Sequence, residues 1–190
     1  MTNSKGKTVF KDFGEMMFAH FKITGPVVLS ASSYLKKMDE TDYVFHIDMK
    51  PALSEAQLDD RILRDFSENL NKDLINALGA LLPKAMIPIV VDMSGISPHK
   101  KVNSITALER KGIVELLKDI SLHITGFSPP ETAIITSGGV SVREINPSTM
   151  ESKLVHGLFF AGEVIDIDAL TGGFNLQIAF STGSLAGVCS

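Results

Sequence analysis

Between Tyr43 and Phe127 the hydrophobic period of this chain changes twice, from two to about 3.6 and back to two, which limits the folds open to it. Tyr43, Phe45, Ile47 and Met49 alternate with Val44, His46 and Asp48, the pattern of a half-buried antiparallel strand. At Pro51 the pattern breaks. Ser54-Glu55-Ala56-Gln57 has capping-box spacing, and Leu58, Ile62 and Phe66 then recur every four residues, so a helix starts there. Helical spacing continues through Leu70, Leu74, Leu78 and Leu81 to Pro83, and a short helix is expected from Lys84 to Asp92, before Gly95. Thr106-Ala107-Leu108-Glu109 repeats the capping box ahead of a face made by Ile113, Leu116, Leu117 and Ile120. From Ser121 the chain reads as strand again, over 122–127 and, after Pro129-Pro130, over 132–136.

Residues 7–49 read mainly as strands, including Val27-Val28-Leu29 after a Gly25-Pro26 turn. Strands on both sides of a helical block imply one β-domain with helices inserted. The expected fold class is α+β, with a discontinuous β-domain at 1–50 and 121–147, a helical insertion at 51–120 and a C-terminal segment at 148–190.

Charge narrows the partners. The net charge is −4, and residues 51–120 carry nine Lys/Arg against ten Asp/Glu, so neither nucleic acid nor an anionic membrane is an expected partner. Cys189 is the single cysteine, which excludes an internal disulfide and fits a reducing, cytoplasmic setting. The apolar run from Ala85 to Val91 is far shorter than the roughly 20 residues of a membrane span. Histidines 20, 46, 99, 123 and 156 show no close ligand spacing, so no metal site is expected. Gly183-Ser184-Leu185-Ala186-Gly187 has leucine where a nucleophile elbow needs serine, and no Walker sequence occurs.

The stretch from Thr136 to Gly187 is the richest in functional signals. An apolar run, Leu158-Phe159-Phe160-Ala161, reads as a buried strand that ends on Gly162-Glu163; an acidic loop with Asp166 and Asp168, a Thr171-Gly172-Gly173 turn and a small-residue amphipathic helix near Asn175 follow. A helix start offers unpaired N–H groups and partial positive charge to an electron-rich ligand. Each feature also has a plain structural reading. Glu163 can cap the next turn, Asp166 can serve a turn, and the pairs Gly138-Gly139 and Gly172-Gly173 can supply positive φ alone. Gly183 and Gly187, four apart, read as helix-packing residues.

The wording and order of that stretch closely resemble the second FAD-contacting segment of the BaiN-like flavoproteins, a family of NAD(P)/FAD-dependent oxidoreductases. A second block, Gly14-Glu15-Met16-Met17-Phe18-Ala19-His20-Phe21-Lys22-Ile23-Thr24-Gly25-Pro26, resembles that family's G-E-x-L-F-T-H-x-G-x-S/T-G-P segment, with Ala19 and Lys22 where Thr and Gly are usual. Ala169 likewise stands in place of a common Gly. The likeness spans nearly the whole chain. It implies a small barrel-like β-domain with a helical subdomain lying over FAD, and a strand-helix segment belonging to the FAD-binding domain. It also implies that Glu163 accepts hydrogen bonds from ribityl hydroxyls, that Gly138, Gly139, Gly162 and Asp166 border the cofactor, and that Gly172, Gly173, Asn175, Leu176 and Gln177 face the flavin ring. His20, in the first block, is the one candidate for proton transfer, though a histidine beside aromatic residues is also commonly structural.

No two glycines are spaced as G-x-G, so the pyrophosphate-binding turn of a dinucleotide fold is not in this sequence. The chain therefore reads as the middle and C-terminal portion of a longer flavoprotein, inactive alone and not retaining FAD, whose partner is the missing N-terminal dinucleotide-binding portion. The parent would pass hydride from NAD(P)H through FAD to an organic, small-molecule acceptor. The rival reading is a non-enzymatic α/β protein-interaction module.

Overall fold

A computed structural model describes residues 1–36, 38 and 41–190. In chain order the strands and α-helices are β1 (Thr2–Asn3), β2 (Met17–Phe18), β3 (Ile23–Thr24), α1 (Pro26–Ser32), β4 (Tyr43–Ile47), α2 (Glu55–Ser67), α3 (Leu74–Ala77), α4 (Ile87–Met93), α5 (Ala107–Lys118), β5 (Ile120–Ile124) and α6 (Phe174–Cys189). The fold is α+β with small sheets. Two compact units divide it: Met1, Asn3–Tyr43 and Thr125–Ser190 in one, Thr2 and Val44–Ile124 in the other. Among the described residues no helix is long and apolar enough to cross a membrane.

In the Val44–Ile124 unit the strand order is β1-β4-β5. Met49 N–H donates to Leu117 O at 2.9 Å while His46, earlier in β4, reaches Asp119, so β4 and β5 run antiparallel. Both capping boxes form: Ser54 pairs reciprocally with Gln57, and Thr106 with Glu109. Leu58, Ile62 and Phe66 of α2 are buried, as are Ile113, Val114 and Leu117 of α5, and the two helices pack together. Arg110 straps α5 to α2 with two parallel bonds to Asp59, Nε to Oδ1 at 2.6 Å and Nη2 to Oδ2 at 3.1 Å. At the end of α5 the Lys118 ammonium donates to Leu53 O at 2.7 Å, to Lys50 O at 3.2 Å and to Asp48 Oδ2 at 2.6 Å.

The second capping box is electrostatically loaded. Lys100 Nζ, 2.6 Å from Oε1, and then the Thr106 N–H and hydroxyl, lower the Glu109 carboxyl from 4.5 to about 2. A depressed folded value means that the ionised carboxylate stabilises the fold above the unfolded pKa and is lost as pH falls through the folded one. The difference in urea midpoint between the native chain and Glu109→Gln should therefore be full above pH 5 and shrink from about 4.5 to about 2. A difference that is flat with pH would show that the charge contributes nothing.

Three sequence expectations need correcting in this unit. The helix after Asn69 breaks into α3 and a 3₁₀ turn, Leu78–Ala80, and α4 starts at Ile87 rather than Lys84. Ile120 leaves the α5 face, because Asp119 turns extended at φ −150° and Ile120 opens β5. Val114 takes the buried place instead.

In the other unit, β2 and β3 form a minimal antiparallel hairpin, Met17 opposite Thr24 and Phe18 opposite Ile23. Val27-Val28-Leu29 is helix, not strand. Pro26 sits at the first helical position with its φ preset, after Gly25 at φ 106°, and that start outweighs the strand preference of two valines. Much of 7–42 is thus irregular rather than strand, and the part of that expectation on residues 37, 39 and 40 lies outside the described residues. Residues 132–136 also form no strand: Pro130–Thr132 is a 3₁₀ turn, and Ile134 stays 72% exposed. A small tail core gathers Ile145, Met150, Ile165 and Ala186, with Val140, Phe159 and Phe160 against it.

Candidate helix-start site

The tail core positions most of the residues singled out from sequence. Val140 N–H donates to Val164 O at 2.8 Å, and Asp166 N–H donates to Val140 O at 2.9 Å, a parallel bridge that lays Gly138-Gly139 beside Gly162–Asp166. Gly139, at φ 141°, is required there: a Cβ would collide with the Val164 carbonyl oxygen and lie 3.1 Å from Asp166 N. Gly162, at φ 70°, donates its N–H to Thr182 Oγ1 at 3.0 Å, and Thr182 in turn donates to Ile178 O at 2.7 Å, so the Gly162–Val164 turn seats on α6.

The run 158–161 is not the buried strand expected. Only Phe159 pairs, in an isolated bridge to Glu151, and Leu158 is 41% exposed. Glu163 therefore lies in the Gly162–Val164 3₁₀ turn rather than at the end of a sheet strand. Its side chain, like that of Asp166, is exposed and makes no hydrogen bond or ion pair among the described residues.

Helix α6 starts at Phe174, one residue before expectation. Gly173 is its N-cap at φ 84°, in the left-handed region, and no side chain caps the helix. Gln177 N–H is taken by Gly173 O at 3.1 Å. The N–H groups of Phe174, Asn175 and Leu176 have no acceptor among the described residues. Asn175 spends its side chain on the preceding loop, accepting from Ala169 N–H and donating to Ala169 O, both at 2.8 Å. Gln177 Nε2 donates to Ser181 Oγ at 3.0 Å. The helix is apolar all round rather than amphipathic: Phe174, Leu176, Phe180 and Val188 are exposed, and only Ala186 is buried. Apart from the helix's own backbone, no atom of the described residues lies within 4 Å of a Cβ built on Gly183 or Gly187.

Sequence reasoning missed a contact between α1 and the loop ahead of Gly172. Ser30, buried on α1, pairs its hydroxyl with Thr171 Oγ1 at 3.0 Å, just ahead of Gly172-Gly173. A serine within a helix carries no sequence signal for a partner far along the chain. His20 is apart from this cluster, exposed in the β2–β3 turn with its ring edge-on to Phe21 at 6.3 Å. Across that turn Ala19 N–H donates to Lys22 O at 2.8 Å, the pairing made where the usual Thr and Gly are replaced.

The arrangement offers three unpaired backbone donors at a helix start, a glycine pair ahead of them with the Phe174 ring against Gly172, and two unpaired carboxylates nearby in sequence. It suits a planar, hydroxyl-bearing, electron-rich ligand.

Comparison with known proteins gives the family. The model of the HI0933-like protein barrel and H2TH domain matches residues 1–135. The chain is 27% identical over 183 residues to a 3-dehydro-bile acid delta(4,6)-reductase of Clostridium scindens, covering 93% of this chain and 44% of that protein. It is 29% identical over 177 residues to the ribosomal RNA dihydrouridine synthase of Escherichia coli, with 92% and 41% covered, and 29% identical over 170 residues to the synthase of the same name from Haemophilus influenzae, with 90% and 40% covered. The chain thus spans about two fifths of the length of the curated relatives it matches. With the barrel and H2TH model matched over most of its length and both motif blocks in order, the chain belongs to the HI0933-like family, that of the BaiN-like flavoproteins.

Proposed function

We propose that this chain forms the insert region and the flavin-contacting tail of an FAD-dependent oxidoreductase, acting in the cytoplasm with a dinucleotide-binding portion outside this sequence. Bound FAD would take hydride from NAD(P)H and deliver it to an organic acceptor. The observation that carries the reading is the open start of α6, where glycines 172 and 173 leave three backbone N–H groups accessible.

Those donors, on Phe174, Asn175 and Leu176, would stabilise negative charge at a ring edge and so favour the reduced cofactor. Glu163 would accept from ribityl hydroxyls, with Asp166 beside it. Gly138, Gly139 and Gly162 would let backbone approach the cofactor without steric obstruction. The domain division follows the same reading, with 1–50 and 121–147 as the barrel-like part, 51–120 as the helical insertion and 148–190 as the tail of the FAD domain.

The relatives' names narrow the acceptor. A dihydrouridine synthase saturates a ring C=C next to a carbonyl, and a 3-dehydro delta(4,6)-reductase acts on C=C bonds conjugated to a keto group. A small-molecule C=C polarised by a carbonyl is the acceptor we favour here, since a net charge of −4 supplies no footprint for RNA. Ribosomal RNA is the second reading, favoured by the names of the two synthases.

The test uses the full-length protein. It should purify yellow and oxidise NADPH or NADH when given a conjugated enone, and Glu163→Gln should lose flavin on dialysis faster than the parent. A colourless full-length protein that takes up no added FAD would overturn the proposal. Hydride uptake by unmodified ribosomal RNA in place of the enone would move the acceptor to the second reading.

A further inference from the structure

Away from α6, one chain of side chains in the Val44–Ile124 unit has the connectivity of an activated nucleophile. His46 stands on the exposed face of β4, whose alternate residues Phe45 and Ile47 are buried. Both of its ring nitrogens are engaged. Nδ1 lies 2.9 and 3.1 Å from the two carboxylate oxygens of Asp119, and Nε2 lies 3.0 Å from Oγ1 of Thr2. An ionised carboxylate only accepts, so Nδ1 carries a proton, and in the neutral ring the Nε2 lone pair then faces the Thr2 hydroxyl. Ser121 Oγ donates to Asp119 Oδ1 at 3.0 Å and sits 3.2 Å from Nδ1, holding the carboxylate in place. Since β1, β4 and β5 are neighbours in one sheet, the three groups rest on adjacent strands.

Hydroxyl, imidazole and carboxylate in series are the parts that turn a weak alcohol into a nucleophile. We propose that Thr2 is an acyl-accepting site for activated esters, with His46 as its general base and Asp119 as the residue that orients the ring. Thr2 Oγ1 bonds to the acyl carbon while its proton passes to His46 Nε2. The bond from that carbon to the leaving oxygen breaks, and the leaving group departs with its electron pair, as an alcohol if it takes the proton from Nε2. The side chains of His46 and Asp119 are 37% and 53% exposed, so water screens the charge that develops, and slow single acylation is expected rather than rapid turnover. Ser121 is on the protonated side of the ring and is not activated.

The test treats the chain with p-nitrophenyl acetate, locates acetyl groups by tandem mass spectrometry and then adds alkaline hydroxylamine, which cleaves oxygen esters and leaves lysine amides. The expected result is one oxygen-ester acetyl, on Thr2, distinct from any thioester on the exposed Cys189, absent in Thr2→Val and kept in Thr2→Ser. His46→Gln should slow it about a hundredfold, within the range for loss of a general base, and Asp119→Asn should slow it too. Circular dichroism checks folding of each variant, and urea-unfolded native chain, where the series is dispersed, serves as the reference should His46→Gln not fold. No ester on Thr2 in the folded chain, an ester on Ser121 instead, or equal rates in folded and unfolded chain or in a folded His46→Gln would overturn the proposal.

Discussion

Leu58→Ala should lower the unfolding free energy of the Val44–Ile124 unit by about 3 kcal/mol. Leu58 is 0% exposed on a helix whose buried face packs against α5, so removing its branched end forfeits both transfer free energy and the contacts around the gap. Leu63 on the same helix is 42% exposed and provides the control. Leu63→Ala should shift stability by no more than about 0.5 kcal/mol. Urea denaturation followed by far-UV circular dichroism gives both numbers, and equal losses would mean that the α2–α5 interface is not the core of this unit.

The second large effect belongs to the other unit. Gly139→Val would place a branched side chain at φ 141°, with its Cβ against the Val164 carbonyl oxygen. Backbone of that kind costs a non-glycine residue about 1–3 kcal/mol before any steric term, and relief requires Val140 to part from Val164 and Asp166. A local loss of about 2–4 kcal/mol is expected, which should speed hydrogen exchange at the Val140 and Asp166 amides about thirty- to seven-hundredfold. Amides of α5 should keep their protection. In the full-length protein the same change should weaken flavin retention, because the bridge that sets Gly162 and Glu163 in place is the one being opened.

What could be read from the sequence followed where local physics and tertiary packing agree. The capping boxes at Ser54 and Thr106 were legible because each is a contact between residues three apart, and the alternation of Phe45 and Ile47 because one face of β4 is buried. Val27-Val28-Leu29 misled because a proline at the helix start decides more than two β-branched residues do. The run 158–161 misled for another reason. Apolar composition implies burial, but here the pairing is a single isolated bridge and the flanking core is four buried residues wide. In the site, the glycines and the start of α6 were visible, whereas the Asn175 clamp on Ala169 and the Ser30–Thr171 bond depend on how distant loops meet.

The antiparallel placement of β4 beside β5 bears on the order in which the chain folds. Apart from Thr2, the Val44–Ile124 unit is continuous in sequence, while its neighbour is interrupted by the whole of that stretch. Closing so long a flexible loop at random would cost about 4 kcal/mol of chain entropy. Once β4 and β5 pair, Val44 and the end of β5 are fixed on adjacent strands, and the two flanks of the interrupted unit, Tyr43 and Thr125, are delivered close together by their covalent links. On local contacts the continuous unit is expected to fold first, its closure turning a distant encounter into a near one for the remainder.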